Sequence, residues 1–183
     1  RVCSYPVSTA ARGAGERKGS FQTPRGLHII RAKIGAGLPL GAVLKGRRAT
    51  GEICTPELQA AYPERDWILS RILWLSGTQP GFNRLGEVDT MARYIYIHGT
   101  PDSEPMGIPA SHGCVRMRNA DLIALFDLVE AGTEVLIHDA FLPPQWVVCT
   151  WPQARATLLG HGVDICADHR NPDSWHLLQW DRD

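Results

Sequence analysis

The sequence predicts a mainly β domain with a few short helices, and three observations carry that reading. Its 183 residues include 18 glycines and 13 prolines, a content that favours strands and loops over a helical bundle. Several segments alternate apolar and polar residues or run apolar on both faces, as half-buried and fully buried strands do. Helix signals are confined to short stretches after Thr55, after Asn119 and around Trp151. With 44% apolar residues the chain can bury a core.

In chain order, residues 5–11 alternate loosely and lead into a polar, glycine-rich loop from Arg12 to Ser20. Thr23-Pro24-Arg25-Gly26 is a turn signal, and Leu27 to Ile34 then reads as a strand. Gly35 to Gly51 holds a hairpin. Thr55 caps a helix that starts at Pro56 and stops at Pro63. Trp67 to Leu75 reads as a strand buried on both faces. Arg93 to His98 reads as the next strand, with Tyr94, Tyr96 and His98 on one face. Asn119 is placed to cap a helix reaching about Glu130, with Leu122, Ile123, Phe126 and Val129 as its apolar stripe and Gly132 as its stop. Glu134 to His138 is a short strand. Leu142-Pro143-Pro144 divides residues 1–142 from a part at 143–183, where Val147 to Cys149 suggests a strand and Trp151 to Leu159 a helix.

Charge and length exclude several classes. Lys and Arg total 19, as do Asp and Glu, so no basic face for nucleic acid is expected. No apolar run approaches the roughly 18 residues of a membrane span. The five cysteines are widely spaced and lack a C-x-x-C pair, so no zinc site or other metal centre is expected. The chain opens at Arg1 inside a strand pattern and closes just after the apolar run before Trp180, which reads as a piece of a longer protein whose first strand is missing.

Ser111-His112-Gly113-Cys114, with His98-Gly99-Thr100 upstream, gathers a thiol, two imidazoles and a glycine turn. A thiolate works as an acyl-transfer nucleophile when a base takes its proton and backbone donors hold the oxyanion. His98, at a strand end, suits the base; a backbone carbonyl near Gly99 can orient it. The N–H groups of Gly113 and Cys114 suit the oxyanion. A helix start near Cys114 is expected to lower the thiol pKa. His112 lies too close along the chain to turn its ring onto the sulfur, so it reads as a structural or substrate-contacting group. Ser111 reads as a loop hydrogen-bonding residue. Arg116 either holds a substrate carboxylate or pairs with Asp102 or Glu104.

These residues resemble the L,D-transpeptidase catalytic domain (YkuD-like): a histidine in His98-Gly99-Thr100, the Met106-Gly107-Ile108-Pro109 approach, then Ser111-His112-Gly113-Cys114-Val115-Arg116-Met117. The resemblance covers about residues 5–140. It implies a compact β-sandwich or barrel that cross-links peptidoglycan stem peptides without a cofactor, in the periplasm or cell envelope. It also implies Cys114 as nucleophile through a thioester and His98 as base, with Gly113, Ser111, His112, Gly99 and Arg116 around them. Water as acceptor would give an L,D-carboxypeptidase instead, and a non-catalytic cell-wall binding domain is a third reading. A papain-like protease fits less well, because its cysteine precedes its histidine. Residues 146–183 resemble the opening of a GNAT-type acetyltransferase, without that family's pyrophosphate loop, or else form an extension packed on the catalytic domain. Oligomeric state is not legible.

Overall fold

The computed structural model describes residues 2–138 and, beyond them, strand segments at 147–148, 155–159, 163–166 and 177–178. In chain order the elements are β1 (Val2–Ser8), β2 (Gly26–Ile34), β3 (Ala42–Lys45), β4 (Arg48–Ile53), α1 (Pro56–Ala61), β5 (Leu69–Gly77), β6 (Tyr96–Thr100), β7 (Val115–Arg118), α2 (Asn119–Leu128), β8 (Glu134–Ile137), β9 (Val147–Val148), β10 (Arg155–Leu159), β11 (Val163–Cys166) and β12 (Leu177–Leu178). The mainly β expectation holds. Strands β2, β8, β11, β10, β1, β7, β6 and β5 pair in that order, and β5 pairs back with β2, so the sheet closes on itself. Hairpin β3–β4 branches from β5 through Val43 opposite Leu69. Gly46 and Arg47 at its tip both have positive φ, 56° and 65°, the backbone of a primed two-residue turn.

Pleating divides the side chains between two faces. One face buries Ile30, Leu73, Leu75, Ile97, Val115 and Met117 in the main core with Leu122, Leu125 and Phe126 of α2. Helix α2 presents these three because they recur at helical spacing, whereas Ile123 is only half-buried. The opposite face of β6 therefore carries Tyr96 and His98, and the opposite face of β7 carries Arg116. Strands β6 and β7 run parallel with His98 opposite Arg116, so the residue two before Arg116, Cys114, comes down beside Tyr96. This register brings the two halves of the sequence motif together.

Strand β5 is buried along most of its length, as expected. It is also bulged: Leu69 faces Gly99, yet Ile72 faces His98, and Ser70 between them has φ 64°. Ser70 Oγ donates to Asn119 Oδ1 at 2.7 Å and accepts from Gly41 N at 2.9 Å. Helix α1 follows its sequence signals, with Thr55 accepting from the Leu58 N–H and Pro56 in the first turn.

Three local expectations are corrected. Tyr94 lies in a turn with φ 58°, ahead of β6, because the chain reverses there before entering the sheet. Asn119 is the first helical residue rather than the cap; its side chain turns inward, accepting from Ser70 and donating to Thr100 O at 2.9 Å. Residues 155–159 form a strand, not a helix, paired in parallel with β1 and antiparallel with β11. The Leu142-Pro143-Pro144 boundary, Trp151 and most residues of the acetyltransferase-like stretch lie outside the described residues.

Candidate active site

Gly113 and Cys114 are held by hydrogen bonds that converge from distant segments. Thr23 Oγ1 donates to Gly113 O at 2.9 Å and accepts from Ala10 N at 3.0 Å. Ser111 Oγ donates to Cys114 O at 2.5 Å, and the Gly113 N–H donates back to Ser111 Oγ at 3.2 Å. Ser111 N and Ala11 N add backbone bonds to Thr9 O and Ser111 O, each 2.9 Å. Gly113 sits at φ 134°, where an L side chain is strained, and this is why the turn uses glycine. Ser111 is thus the loop-bonding residue the sequence suggests, and its hydroxyl engages the Gly113 amide named as an oxyanion donor.

Cys114 is half-buried and free of any disulfide. Its Sγ accepts from the Tyr96 N–H at 3.4 Å and donates toward Tyr94 O at 3.6 Å. Burial pushes the thiol up to about 12, with the Tyr96 amide pulling weakly the other way. This overturns the expectation of a lowered thiol pKa. Strand β7 intervenes between Cys114 and α2, so no helix terminus acts on the sulfur.

His98 is 1% exposed, and its Nδ1 lies 2.8 Å from Gly99 O, to which it donates. That bond fixes the tautomer, leaving Nε2 as the basic nitrogen; Nε2 is buried without a hydrogen-bond partner among the described residues. Burial lowers the His98 pKa, and the Gly99 carbonyl opposes it. The carbonyl the sequence proposed as orienter is the one in place. Gly99 has its own constraint: a Cβ there would lie 2.2 Å from Asn119 Oδ1 and 2.5 Å from Leu69 O.

Arg116 is 7% exposed and pairs with two carboxylates, Asp66 at 2.8 Å and Glu104 at 3.0 Å. The geometry favours the ion-pair reading of this residue over the substrate-carboxylate one. Asp66 went unnoticed in the sequence because it sits unmarked before the apolar run of Trp67; its charge raises the pKa of both His98 and Cys114.

His112 is exposed, with its ring edge-on to Phe21 at 6.5 Å. It lines a cleft of about 240 Å³ with Lys18, Phe21, Arg93, Tyr94 and Ile95. The polar loop at 12–20 acquires a role here. Arg93 donates to Gly15 O and Glu16 O at 3.0 and 2.6 Å and to Gln22 O at 2.5 Å, folding the loop against the cleft. Tyr94 also stacks on Trp74 at 6.2 Å, and the Arg47 guanidinium lies 4.7 Å from the Trp74 ring centre and 4.9 Å from that of Tyr94.

The YkuD family model, the L,D-transpeptidase catalytic domain, matches residues 1–137. The chain belongs to that family. Over 59 residues this L,D-transpeptidase domain is 42% identical to a putative L,D-transpeptidase of Bacillus subtilis, YqjB, a match covering 32% of each protein. Over 49 residues it is 45% identical to a probable L,D-transpeptidase of Escherichia coli, YbiS, covering 27% of this chain and 16% of that protein. The matches therefore span a third or less of either relative. A solved L,D-transpeptidase from Mycobacterium smegmatis aligns over 71% of this chain and 46% of its own, at 22% identity and a TM-score of 0.35. No helix among the described residues is long and apolar enough to cross a membrane.

Proposed function

We propose that this domain is a cysteine acyltransferase that cross-links peptidoglycan stem peptides. The observation that carries the reading is the fixed His98 tautomer: Nδ1–H is held by Gly99 O, Nε2 has no hydrogen-bond partner among the described residues, and His98 lies two residues along β6 from Tyr96, whose N–H meets Cys114 Sγ. His98 Nε2 takes the thiol proton as Sγ attacks the carbonyl between the third residue of a donor stem and its terminal D-alanine. The oxyanion is held by backbone N–H groups of the Gly113-Cys114 turn, the Gly113 N–H exchanging its Ser111 partner for it; losing one such donor costs about 3–4 kcal/mol of transition-state stabilisation. The C–N bond then breaks, the imidazolium proton passes to the departing amine, and a Cys114 thioester remains.

An amine from the third residue of a second stem attacks the thioester, gives its proton to His98 and releases the thiolate, which takes that proton back. Membership of a peptidoglycan-acting family supports a periplasmic or cell-envelope location. Residues 1–142 form the catalytic unit, and residues 143–183 an extension whose strands β10 and β11 pair with β1 and β8.

Intact-mass detection of a thioester adduct with a stem tetrapeptide tests the chemistry. Cys114→Ala is expected to form none, and His98→Ala to slow its formation by a factor of about 10²–10⁴. Unchanged acylation in His98→Ala would overturn the base assignment. Free tripeptide without cross-linked dimer from the unmodified domain would overturn the amine acceptor in favour of water.

A further inference from the structure

We propose that the cleft beside Cys114 binds the terminal carboxylate of the donor stem peptide, with Lys18 as its charge partner. The inference rests on the reading of Cys114 as the residue that becomes acylated. Its first support is position. The cleft is walled by His112, two residues before Cys114, and by Tyr94, whose carbonyl oxygen accepts from Sγ at 3.6 Å. In the proposed reaction the leaving residue is the last of its peptide. Its carboxylate lies one residue beyond the scissile carbonyl, which is a reach of roughly 3.5 Å per residue from the sulfur.

Charge is the second support. The cleft is lined by Lys18, Arg93 and His112 but by no Asp or Glu. The Arg93 guanidinium donates from both terminal nitrogens to the carbonyl oxygens of Gly15, Glu16 and Gln22, which do not neutralise its charge. The Glu16 carboxylate of the same loop is taken by Arg25 at 2.7 Å. Lys18 is tied through its backbone, its N–H donating to Glu87 O at 2.7 Å, and its ammonium pairs with no carboxylate among the described residues. A flexible cation anchored at its root and facing a cationic cleft suits an incoming anion.

Shape is the third. At about 240 Å³ the cleft is smaller than the 300 Å³ or more of sites that enclose drug-sized ligands, so it fits one terminal residue rather than an extended chain. Phe21 supplies an apolar wall although its backbone sits at φ 59°, uncommon for a bulky residue, and the residue stays 51% exposed. A terminal residue with a carboxylate and a methyl group matches a cation beside an aromatic ring.

The test compares rates of thioester formation on Cys114 for a stem tetrapeptide with a free C-terminal carboxylate and for its C-terminal amide. The unaltered domain is expected to prefer the acid by about tenfold, the range of a charge-assisted contact in a half-enclosed site. Lys18→Met is expected to lower the acid-to-amide ratio several-fold, and Lys18→Glu to lower it further. Equal rates for acid and amide in the unaltered domain, or an acid preference undiminished by Lys18→Met, would overturn the carboxylate site while leaving the Cys114 reading intact. No adduct with either peptide would instead overturn the acylation reading on which the site depends. Because thioester formation involves the donor alone, an effect of Lys18→Met confined to the amine-acceptor step would also overturn the proposal.

Discussion

Burial acts on Cys114 and His98 in opposite senses, raising the thiol pKa to about 12 and lowering that of the imidazole. Both shifts favour the uncharged form, so the resting pair is a thiol and a neutral imidazole rather than an ion pair. Proton transfer then accompanies attack, when developing charge on sulfur can be passed to the substrate carbonyl and its oxyanion donors. A measurable consequence follows for the free protein. Alkylation of Cys114 by iodoacetamide, followed by intact mass against pH, is expected to be slow at neutrality and still rising above pH 9. A plateau reached near pH 7 would show a thiolate stabilised in the resting state and contradict this picture. Nothing in the local motif signals this, because burial of a sulfur depends on what the other strands lay over it.

Among elements, the bulged β5 and helix α2 fix the base by setting strand β6 between them. Asn119 at the start of α2 bonds Ser70 in the bulge and Thr100 on β6, and its Oδ1 occupies the space above Gly99. Gly99→Ala would push a methyl group into Asn119 and the Leu69 carbonyl, an overpacking that costs about 1–3 kcal/mol. Thermal unfolding is expected to show a Tm lower by several degrees, together with slowed acylation as the carbonyl that orients His98 shifts. An unchanged Tm would mean that α2 yields more readily than its contacts suggest. Local patterns made much of this scale legible: β2, β5, α1 and the Ser111 to Cys114 turn all follow period, cap or glycine signals. Partnerships were not legible. Asp66 at Arg116, Thr23 under Gly113 and Ser70 against Asn119 join residues tens of positions apart, and no periodicity encodes such a meeting. Asn119 shows the limit most clearly, since a residue type suited to capping is used for tertiary hydrogen bonding.

For the molecule as a whole, a buried histidine outside the site bears on acid stability. His28 of β2 is fully buried, donating from Nδ1 to Gly26 O at 2.9 Å, with Nε2 3.1 Å from the Thr90 hydroxyl. Burial lowers its pKa from 6.5 to about 4. Between those values the unfolded chain takes up a proton that the folded one refuses. The contribution to stability is therefore complete above the unfolded value and is lost as pH falls toward the folded one, amounting to about 3 kcal/mol in all. Tm is expected to decline across this interval, and His28→Gln to flatten that decline; an equally steep decline in the variant would assign it to other groups. The closed ring of strands has a consequence in time as well as in space. Strand β1 leaves the ribosome well ahead of its sheet partners, which come from residues 116–117 and 155–159. During synthesis it must wait with both edges bare while the intervening residues are made, and loop-closure entropy makes its pairing a slow step. The seam that completes the ring is thus also where nascent chains are most exposed to pairing with one another.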